Sequence, residues 1–418
     1  MQGLHLTADL YDCRCAASLL VDAQLLARLC RQAVAAAGLT LVAEKFHTFP
    51  DHQGAQGGVT GAALLAESHL AVHTWPERDA VTLDVYVCNF SANNSARAEA
   101  LLDALLVAFA PRQQNTNRLL RGSDDPQDHA NELLLEWLSP DSAYGFRATR
   151  RLETVRTQHQ LLEVFDTPQW GKLLRLDGTY MTSERDEFFY HEPMVHAAAI
   201  THANPRRALV LGGGDGGACE ELLKYPALER VVLAELDAEV VRAAREHLPR
   251  VHGGAFDDPR LQLRIGDGFA YMEAQSRDPH GERFDLVILD LTDPDTPAQP
   301  LYTPEALRLV KSLLAPGGAL TMHIGSPVFE PQRVREVVLQ LRAVFEIVRP
   351  FGLYVPLYGA YWGMAIASDA LDPLSRLPYE VDLRLRGYGI GELDYYNGDV
   401  HRALFALPNY YRRLVQSH

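Results

Sequence analysis

The segment that constrains the fold most runs from residue 207 to residue 290. Four apolar runs, at 207–211, 231–236, 261–265 and 284–290, are each five to seven residues long. Those at 207–211, 231–236 and 284–290 lack regular polar alternation, so each reads as a strand covered on both faces. Stretches with helical spacing, at 216–224 and 238–247, fall between them. Apolar strands alternating with helices predict an α/β fold on a doubly wound parallel sheet, Rossmann-like in plan. The first strand runs directly into glycines, ALVLGGGDGG at 208–217, where the chain must turn tightly to enter a helix.

A chain of 418 residues has room for two domains. Ahead of the parallel-sheet region the spacing changes. Strands are expected at 4–12, 40–49, 59–66, 69–75 and 81–88, with helices at 22–37 and 94–110. They make a small α+β sandwich-type domain with a mainly antiparallel sheet over residues 1–111. The polar, turn-rich stretch 112–130 reads as a linker. A second domain then covers 131–418, with a short β part at about 140–185.

Acidic residues outnumber basic ones by 54 to 39, for a formal charge of −15. Such a chain lacks the basic footprint of a partner for nucleic acid or an anionic membrane surface. It suits a cationic small molecule, although solubility alone accounts for the charge as readily. The five cysteines include no CxxC pair, so neither a disulfide framework nor a zinc site is indicated. No uncharged apolar run reaches the ~18 residues that cross a bilayer, and the N-terminus lacks a signal-peptide layout. A cytoplasmic protein with reduced thiols is expected.

Gly212, Gly214 and Gly217 satisfy a GxGxxG spacing, and Glu235 lies near the place of a ribose-binding acid. NAD enzymes and methyltransferases share that pattern, and a tight turn that binds nothing produces it too. Asp215, inside the loop, discriminates. A carboxylate there repels a dinucleotide pyrophosphate and welcomes an ammonium group, so no NAD is expected. Asp290 and Asp293 follow the last apolar strand, three residues apart. An amine nucleophile must be neutral when it attacks, so Asp290 reads as a general base and Asp293 as a holder of the amine chain. The plainer reading of the pair is a helix N-cap ahead of Pro294.

LDGTYMTSERDEFFYHEPMVHA (176–197), the glycine loop, LAELD (233–237), IGDGF (265–269), LDLTDP (289–294) and YYNGDVHRALFALP (395–408) stand in the order seen in spermidine synthases. Residues 150–418 resemble that family, whose fold is methyltransferase-like. The resemblance implies an aminopropyltransferase that uses decarboxylated S-adenosylmethionine. Gln160 and Asp215 would hold the methionine-derived part of this donor, Glu235 the ribose hydroxyls, and Asp267 the adenine amine, with Gly268 beside it. Tyr190 and Tyr358 would flank the aminopropyl and acceptor channel, Asp290 would be the base and Asp293 an acceptor ligand. Met181 stands where relatives usually place Gln. The implied acceptor is putrescine, giving spermidine and methylthioadenosine. LYT (301–303) and VPLYGAYWG (355–363) lean toward spermine- or thermospermine-type synthases and keep a longer polyamine open.

In the first domain, GVTGAALLAESHLAVHTWPERDAVTLDVYVC (58–88) places Ser68 five residues before His73 and twenty before Cys88. Singly, these are a strand serine, a satisfied sheet histidine and a small buried thiol. As a block they resemble the bacterial S-adenosylmethionine decarboxylases that carry a pyruvoyl group, over residues 3–110. The resemblance implies that Ser68 attacks the Glu67 carbonyl, that the chain is cut between them, and that Ser68 becomes an N-terminal pyruvoyl group. That group would be the electron sink for decarboxylation, with no metal. His73 would be the processing base, Thr60 would orient the site, and Cys88 would return a proton to the product carbon. Asn89-Phe90 replaces the Gly common after the Cys, and residues 52–57 look like an insertion. Ornithine or arginine therefore stays open as the substrate, as does an inert dimerisation module of the kind that begins animal spermine synthases. Because the first domain's product is the second domain's donor, a bifunctional polyamine enzyme is expected. Both families usually dimerise, so a homo-oligomer, dimer or higher, is expected too.

Overall fold

The computed structural model describes residues 3–51, 54, 56–89, 93–122, 132–202, 204–293, 296, 298–391 and 393–416. The chain divides into two compact units, Met1–Asp128 and His129–His418.

The first unit holds six strands: β1 (Gly3–Tyr11), β2 (Leu41–Thr48), β3 (Val59–Leu65), β4 (Ser68–Trp75), β5 (Ala80–Cys88) and β6 (Gln113–Arg121). They form one antiparallel sheet in the order β2-β3-β4-β5-β1-β6. Alternation along the strands sends Leu4, Leu6, Leu70, Val72, Val85 and Val87 to one face. There they pack with Leu26, Cys30 and Val34 of α1 (Ala23–Ala36) and Leu101 and Leu105 of α2 (Ser95–Phe109). Asp22 caps α1, accepting from the Gln24 and Leu25 amides at 2.8 and 3.1 Å. β6 corrects the expected linker. Residues 113–121 pair with β1 from Gly3↔Arg121 to Tyr11↔Gln113. Every residue of β6 is exposed, so no apolar alternation marks it in the sequence. Residues 123–130 of the expected linker lie outside the described residues.

The second unit opens with the hairpin β7 (Glu132–Ser139) and β8 (Ser142–Ala148). A four-stranded antiparallel sheet of β9 (Arg150–Arg156), β10 (Leu161–Thr167), β11 (Gly171–Leu176) and β12 (Thr179–Ser183) follows, then helix α3 (Glu187–His202). The alternating region gives β13 (Arg207–Gly212), α4 (Gly217–Leu223), β14 (Arg230–Glu235), α5 (Ala238–His247), β15 (Leu261–Ile265), α6 (Gly268–Arg277) and β16 (Phe284–Asp290). It continues through α7 (Pro304–Leu313), β17 (Leu314–Gly325), α8 (Pro331–Arg342), β18 (Ile347–Val355) and β19 (Ala360–Ser368).

The seven strands run β15-β14-β13-β16-β17-β19-β18. Five are parallel, and β19 is antiparallel to both neighbours. The sheet is therefore mixed, because the Pro356–Gly359 turn between β18 and β19 is too short for a crossover. Ala208 and Val210 of β13 join one apolar core, while Leu209 and Leu211 join the other, so both faces are covered. β14 and β16 flank β13 on opposite sides. The chain leaves the carboxyl ends of β13 and β16 around a topological switch point, where such sheets open a crevice.

Candidate active sites

Asp290 ends β16 and pairs in register with Gly212 at the end of β13, so its carboxylate stands at the switch point. The loop glycines admit it. Gly213 has φ +67°, and a Cβ there would lie 2.7 Å from Asp290 Oδ2. Asp215 follows in the same loop, with Oδ1 accepting from the Gly217 amide at 2.9 Å.

Between these acids lies His191 of α3, whose side chain is 2% exposed. Its Nδ1 is 2.8 Å from Glu187, and its Nε2 is 3.7 Å from Asp215 Oδ2 and 4.0 Å from Asp290 Oδ2. Burial opposes charge on this ring, but the carboxylates of Asp215, Glu187 and Asp290 outweigh it and push His191 up to about 10. The surrounding carboxylates favour its imidazolium form inside an acidic cage. Asp290 is itself pushed up to about 6, by burial and then by Asp215, against the pull of His191 and the Tyr190 hydroxyl. Its Oδ2 is buried and has no hydrogen-bond partner. Ligand atoms of His191, Asp215 and Asp290 lie within 4.8 Å of one another.

Glu235, 8% exposed, ends β14. Burial lifts its carboxyl to about 7, although it accepts from the amides of Asp237 at 2.8 Å and Gly214 at 3.1 Å. Asp237 caps α5 and accepts from Thr157 Oγ1 at 2.7 Å and Gln160 Nε2 at 3.1 Å, which fixes Gln160 at the crevice. Asp267 caps α6 through the Phe269 amide at 2.8 Å. Gln160, Asp215, Glu235, Asp267 and Gly268 share one cleft with Tyr190, Asp290 and Tyr358, about 1040 Å³ of empty space counting its open mouth. Met181 lines it as well. The Tyr358 hydroxyl donates to the Met181 carbonyl at 2.9 Å, and the Tyr190 and Tyr358 rings meet edge-on at 6.1 Å.

Asp293 is placed differently. It lines an adjoining cavity with Glu136, His323 and Trp362, and that cavity shares the Met181, Tyr190 and Tyr358 walls. Its carboxylate is ion-paired through Oδ1 with Arg333, which also holds Glu330 at 2.6 Å. Glu136 accepts from the Tyr180 amide at 2.6 Å, and burial lifts it to about 7. Sequence reasoning passes over His191, Asp237, Glu136 and Arg333. Only His191 carries a local signal, its i,i+4 spacing from Glu187 on a helix.

In the first unit, Ser68 opens β4 with φ +154°, a strained value for a residue with a side chain. The Glu67 carbonyl accepts from the Cys88 amide at 2.9 Å. Thr60 and His73 face each other across β3 and β4, with Oγ1 and Nδ1 2.8 Å apart. Among the described residues, no hydrogen bond joins His73 to Ser68 or Cys88. The Ser68 hydroxyl lies instead 3.2 Å from His69 Nδ1. Asn89 accepts from the Asn94 amide at 2.7 Å, while Phe90 lies outside the described residues.

The family described as spermine/spermidine synthase domain matches residues 187–374, and that described as S-adenosylmethionine decarboxylase matches residues 4–122. The polyamine aminopropyltransferase of Nitrosomonas europaea is 48% identical over 290 residues, which are 69% of this chain and 88% of that protein. The chain belongs to the polyamine aminopropyltransferase family. Polyamine aminopropyltransferase 1 of Hyperthermus butylicus is 42% identical over 254 residues, 60% of this chain and 86% of that one. A solved spermidine synthase in complex with the transition state analogue AdoDATO matches with TM-score 0.64 at 30% identity, covering 71% of this chain and 98% of that chain. The spermidine synthase of Thermotoga maritima gives 0.63 at 30% identity, covering 70% and 97%. This aminopropyltransferase thus carries an S-adenosylmethionine decarboxylase domain at its N-terminus, and the pair makes it an enzyme of polyamine biosynthesis. No described helix is long and apolar enough to cross a membrane.

Proposed function

We propose that the first unit decarboxylates S-adenosylmethionine and that the second passes the aminopropyl group of the product to putrescine, giving spermidine and methylthioadenosine. One observation carries the transfer step: the buried, unpartnered Oδ2 of Asp290 at the switch point. An amine seated there gives that oxygen its missing partner. As the nitrogen attacks the carbon beside the sulfonium, the carbon–sulfur bond breaks and methylthioadenosine leaves neutral. The proton shed by the nitrogen passes to Asp290, whose carboxyl, lifted to about 6, holds it better than an ordinary aspartate. Tyr190 orients that carboxylate, and Gln160, Asp215, Glu235, Asp267 and Gly268 hold the donor.

The residues at Ser68 fit formation of a pyruvoyl group. The Cys88 amide polarises the Glu67 carbonyl, and cutting the chain there releases the strained φ of Ser68. Once formed, the group supplies the electron sink that decarboxylation requires. Cys88 is assigned the return of a proton to the product carbon, and the Thr60–His73 pair a part in processing. The five free cysteines suit a reducing cytoplasm, and a homo-oligomer is the assembly expected.

A second reading, transfer to a longer amine, draws on the adjoining cavity and its acids Glu136 and Asp293. Incubation with S-adenosylmethionine and equal putrescine and spermidine, with every product identified by mass, tests both readings. Spermidine should accumulate first, with methylthioadenosine in equal amount. Predominant tetraamine would overturn the choice of putrescine, and absence of methylthioadenosine would overturn the transfer. Fragments 1–67 and 68–418 in the purified protein are expected, and an intact chain that still decarboxylates would overturn the pyruvoyl chemistry.

A further inference from the structure

Ser68, His69, Asp84 and His5 form a connected line on the sheet of the first unit. In register, His69 pairs with Tyr86 and Ala71 with Asp84 across β4 and β5, while His5 pairs with Tyr86 and Thr7 with Asp84 across β1 and β5. His69 and His5 therefore flank Asp84 diagonally, one from each neighbouring strand, on one face of the sheet. His69 Nδ1 is 3.2 Å from Ser68 Oγ, and its Nε2 is within ion-pair distance, 3.3 Å, of Asp84 Oδ1, a buried oxygen that has no hydrogen-bond partner. The other oxygen, Oδ2, is 2.8 Å from His5 Nε2. The Tyr86 ring packs against both imidazoles, with centroids 5.6 and 5.9 Å away.

A hydroxyl, a base upon it and an acid behind the base make the arrangement that activates a weak nucleophile. The geometry points to His69 as the base that takes the Ser68 proton in the ester-forming step of chain processing, with Asp84 and His5 as positioning residues. This assignment rests on the reading that the chain is cut between Glu67 and Ser68. In the step, the bond from Ser68 Oγ to the Glu67 carbonyl carbon forms and the Glu67–Ser68 carbon–nitrogen bond breaks. The hydroxyl proton moves to His69 Nδ1 and then to the freed Ser68 amine, so nothing is consumed. Negative charge develops on the Glu67 oxygen, which already receives the Cys88 amide at 2.9 Å. Asp84 favours the tautomer with its proton on Nε2, which leaves the Nδ1 lone pair toward Ser68. His73 is bonded to Thr60 and makes no described hydrogen bond to Ser68. The later elimination, which removes the Ser68 Cα proton and releases the Glu67 carboxylate, is a separate chemical demand.

The test follows freshly translated full-length chain by mass, with and without hydroxylamine. Unprocessed amide resists hydroxylamine, ester is cut by it, and processed chain is already two fragments. His69→Asn keeps a hydrogen-bond acceptor near Ser68 but no base. It should slow cleavage by about 10²–10⁴-fold and accumulate the resistant amide form. Asp84→Asn should act in the same direction with a smaller effect. In a Ser68→Cys chain the thiol ionises more readily, so the His69→Asn effect should shrink at least about tenfold, which a merely misfolded sheet would not do. Wild-type cleavage in His69→Asn, accumulation of ester instead of amide, or an equal effect in the Ser68→Cys background would each overturn the assignment. An uncut wild-type chain would overturn the processing reading itself, and His69 with it.

Discussion

Replacing His191 with Gln removes a cation from three carboxylates. The ring nitrogens lie 2.8 Å from Glu187, 3.7 Å from Asp215 and 4.0 Å from Asp290. A unit charge about 4 Å away is worth up to about 4 kcal/mol at an effective dielectric of about 20. Opposite charges at this range move a carboxyl by about one to three pH units. Asp290 already stands at about 6, so in the variant it should keep its proton until roughly pH 7–9. Only the ionised carboxylate can accept the proton of the amine. The acidic limb of kcat/KM for aminopropyl transfer should therefore move up by that amount, with the alkaline plateau little changed. Stability supplies an independent reading. His191 is raised from 6.5 to about 10 by folding, so its contribution is fully present below pH 6.5 and is lost as pH rises through about 10. The shift corresponds to about 5 kcal/mol of preference for the charged ring, an upper figure. Thermal inactivation of transferase activity should separate wild type from variant widely near pH 6 and barely above about pH 10. An unmoved acidic limb, or a stability gap equally wide on both sides of pH 10, would refute the caged imidazolium.

Asp290→Asn should reduce transfer by about 10²–10⁴-fold while cleavage at Glu67–Ser68 and decarboxylation continue; normal transfer would remove it as the base. Glu235→Gln should raise KM for the donor by roughly tenfold or more, since a hydrogen bond to a charged group is worth about 1.5–3 kcal/mol, and an unchanged donor KM would separate Glu235 from the ribose. Cys88→Ala keeps the backbone amide that holds the Glu67 carbonyl, so it should still be cut yet decarboxylate slowly. Full decarboxylation in that variant would assign the proton return to another group.

The parallel strands β13, β14 and β16 are legible because burial on both faces leaves nearly unbroken apolar runs, and the acids of the cleft because they sit at strand ends and in the glycine loop. β6 is not legible, since a strand exposed along its whole length needs no apolar residue. The antiparallel β19 is hidden for a related reason. A buried strand reads the same in either direction, and only the short turn before it betrays the reversal. Arg333 lies 40 residues from Asp293, so nothing local in the sequence announces that the second acid is ion-paired. His69 is hidden by adjacency: beside a marked serine it reads as a spacer, and only the register of β4, β5 and β1 brings it to Asp84 and His5.

Arg333, paired with Asp293 and Glu330, should also influence which amine fits if the acceptor enters the cavity that Asp293 lines. It spans Asp293 and Glu330, and its Nε is buried without a partner, so one cation serves two acids beyond Tyr190 and Tyr358. Burial raises Glu330 while Arg333 pulls it back toward ionisation. Glu136, lifted to about 7, carries only part of its negative charge at physiological pH. With Arg333 in place one of the two negative charges is offset, which reduces the advantage the cavity offers the extra ammonium of a long polyamine. Arg333→Gln leaves the two part-exposed acids uncompensated, at a cost in the free enzyme below the about 3–5 kcal/mol of breaking a fully buried pair. A bound ammonium can return much of that, so the longer amine should gain most. The kcat/KM ratio of spermidine to putrescine should rise about tenfold or more, about 1.4 kcal/mol. Spermidine should also protect the variant against heat more than it protects wild type, because ligand that binds only the folded state stabilises it. A ratio that stays the same would mean that the tail of the longer amine does not enter this cavity. A ratio that falls would mean that the far ammonium of putrescine already reaches Asp293, and the balance of charge around Arg333 would then set affinity for the diamine instead of the choice between amines.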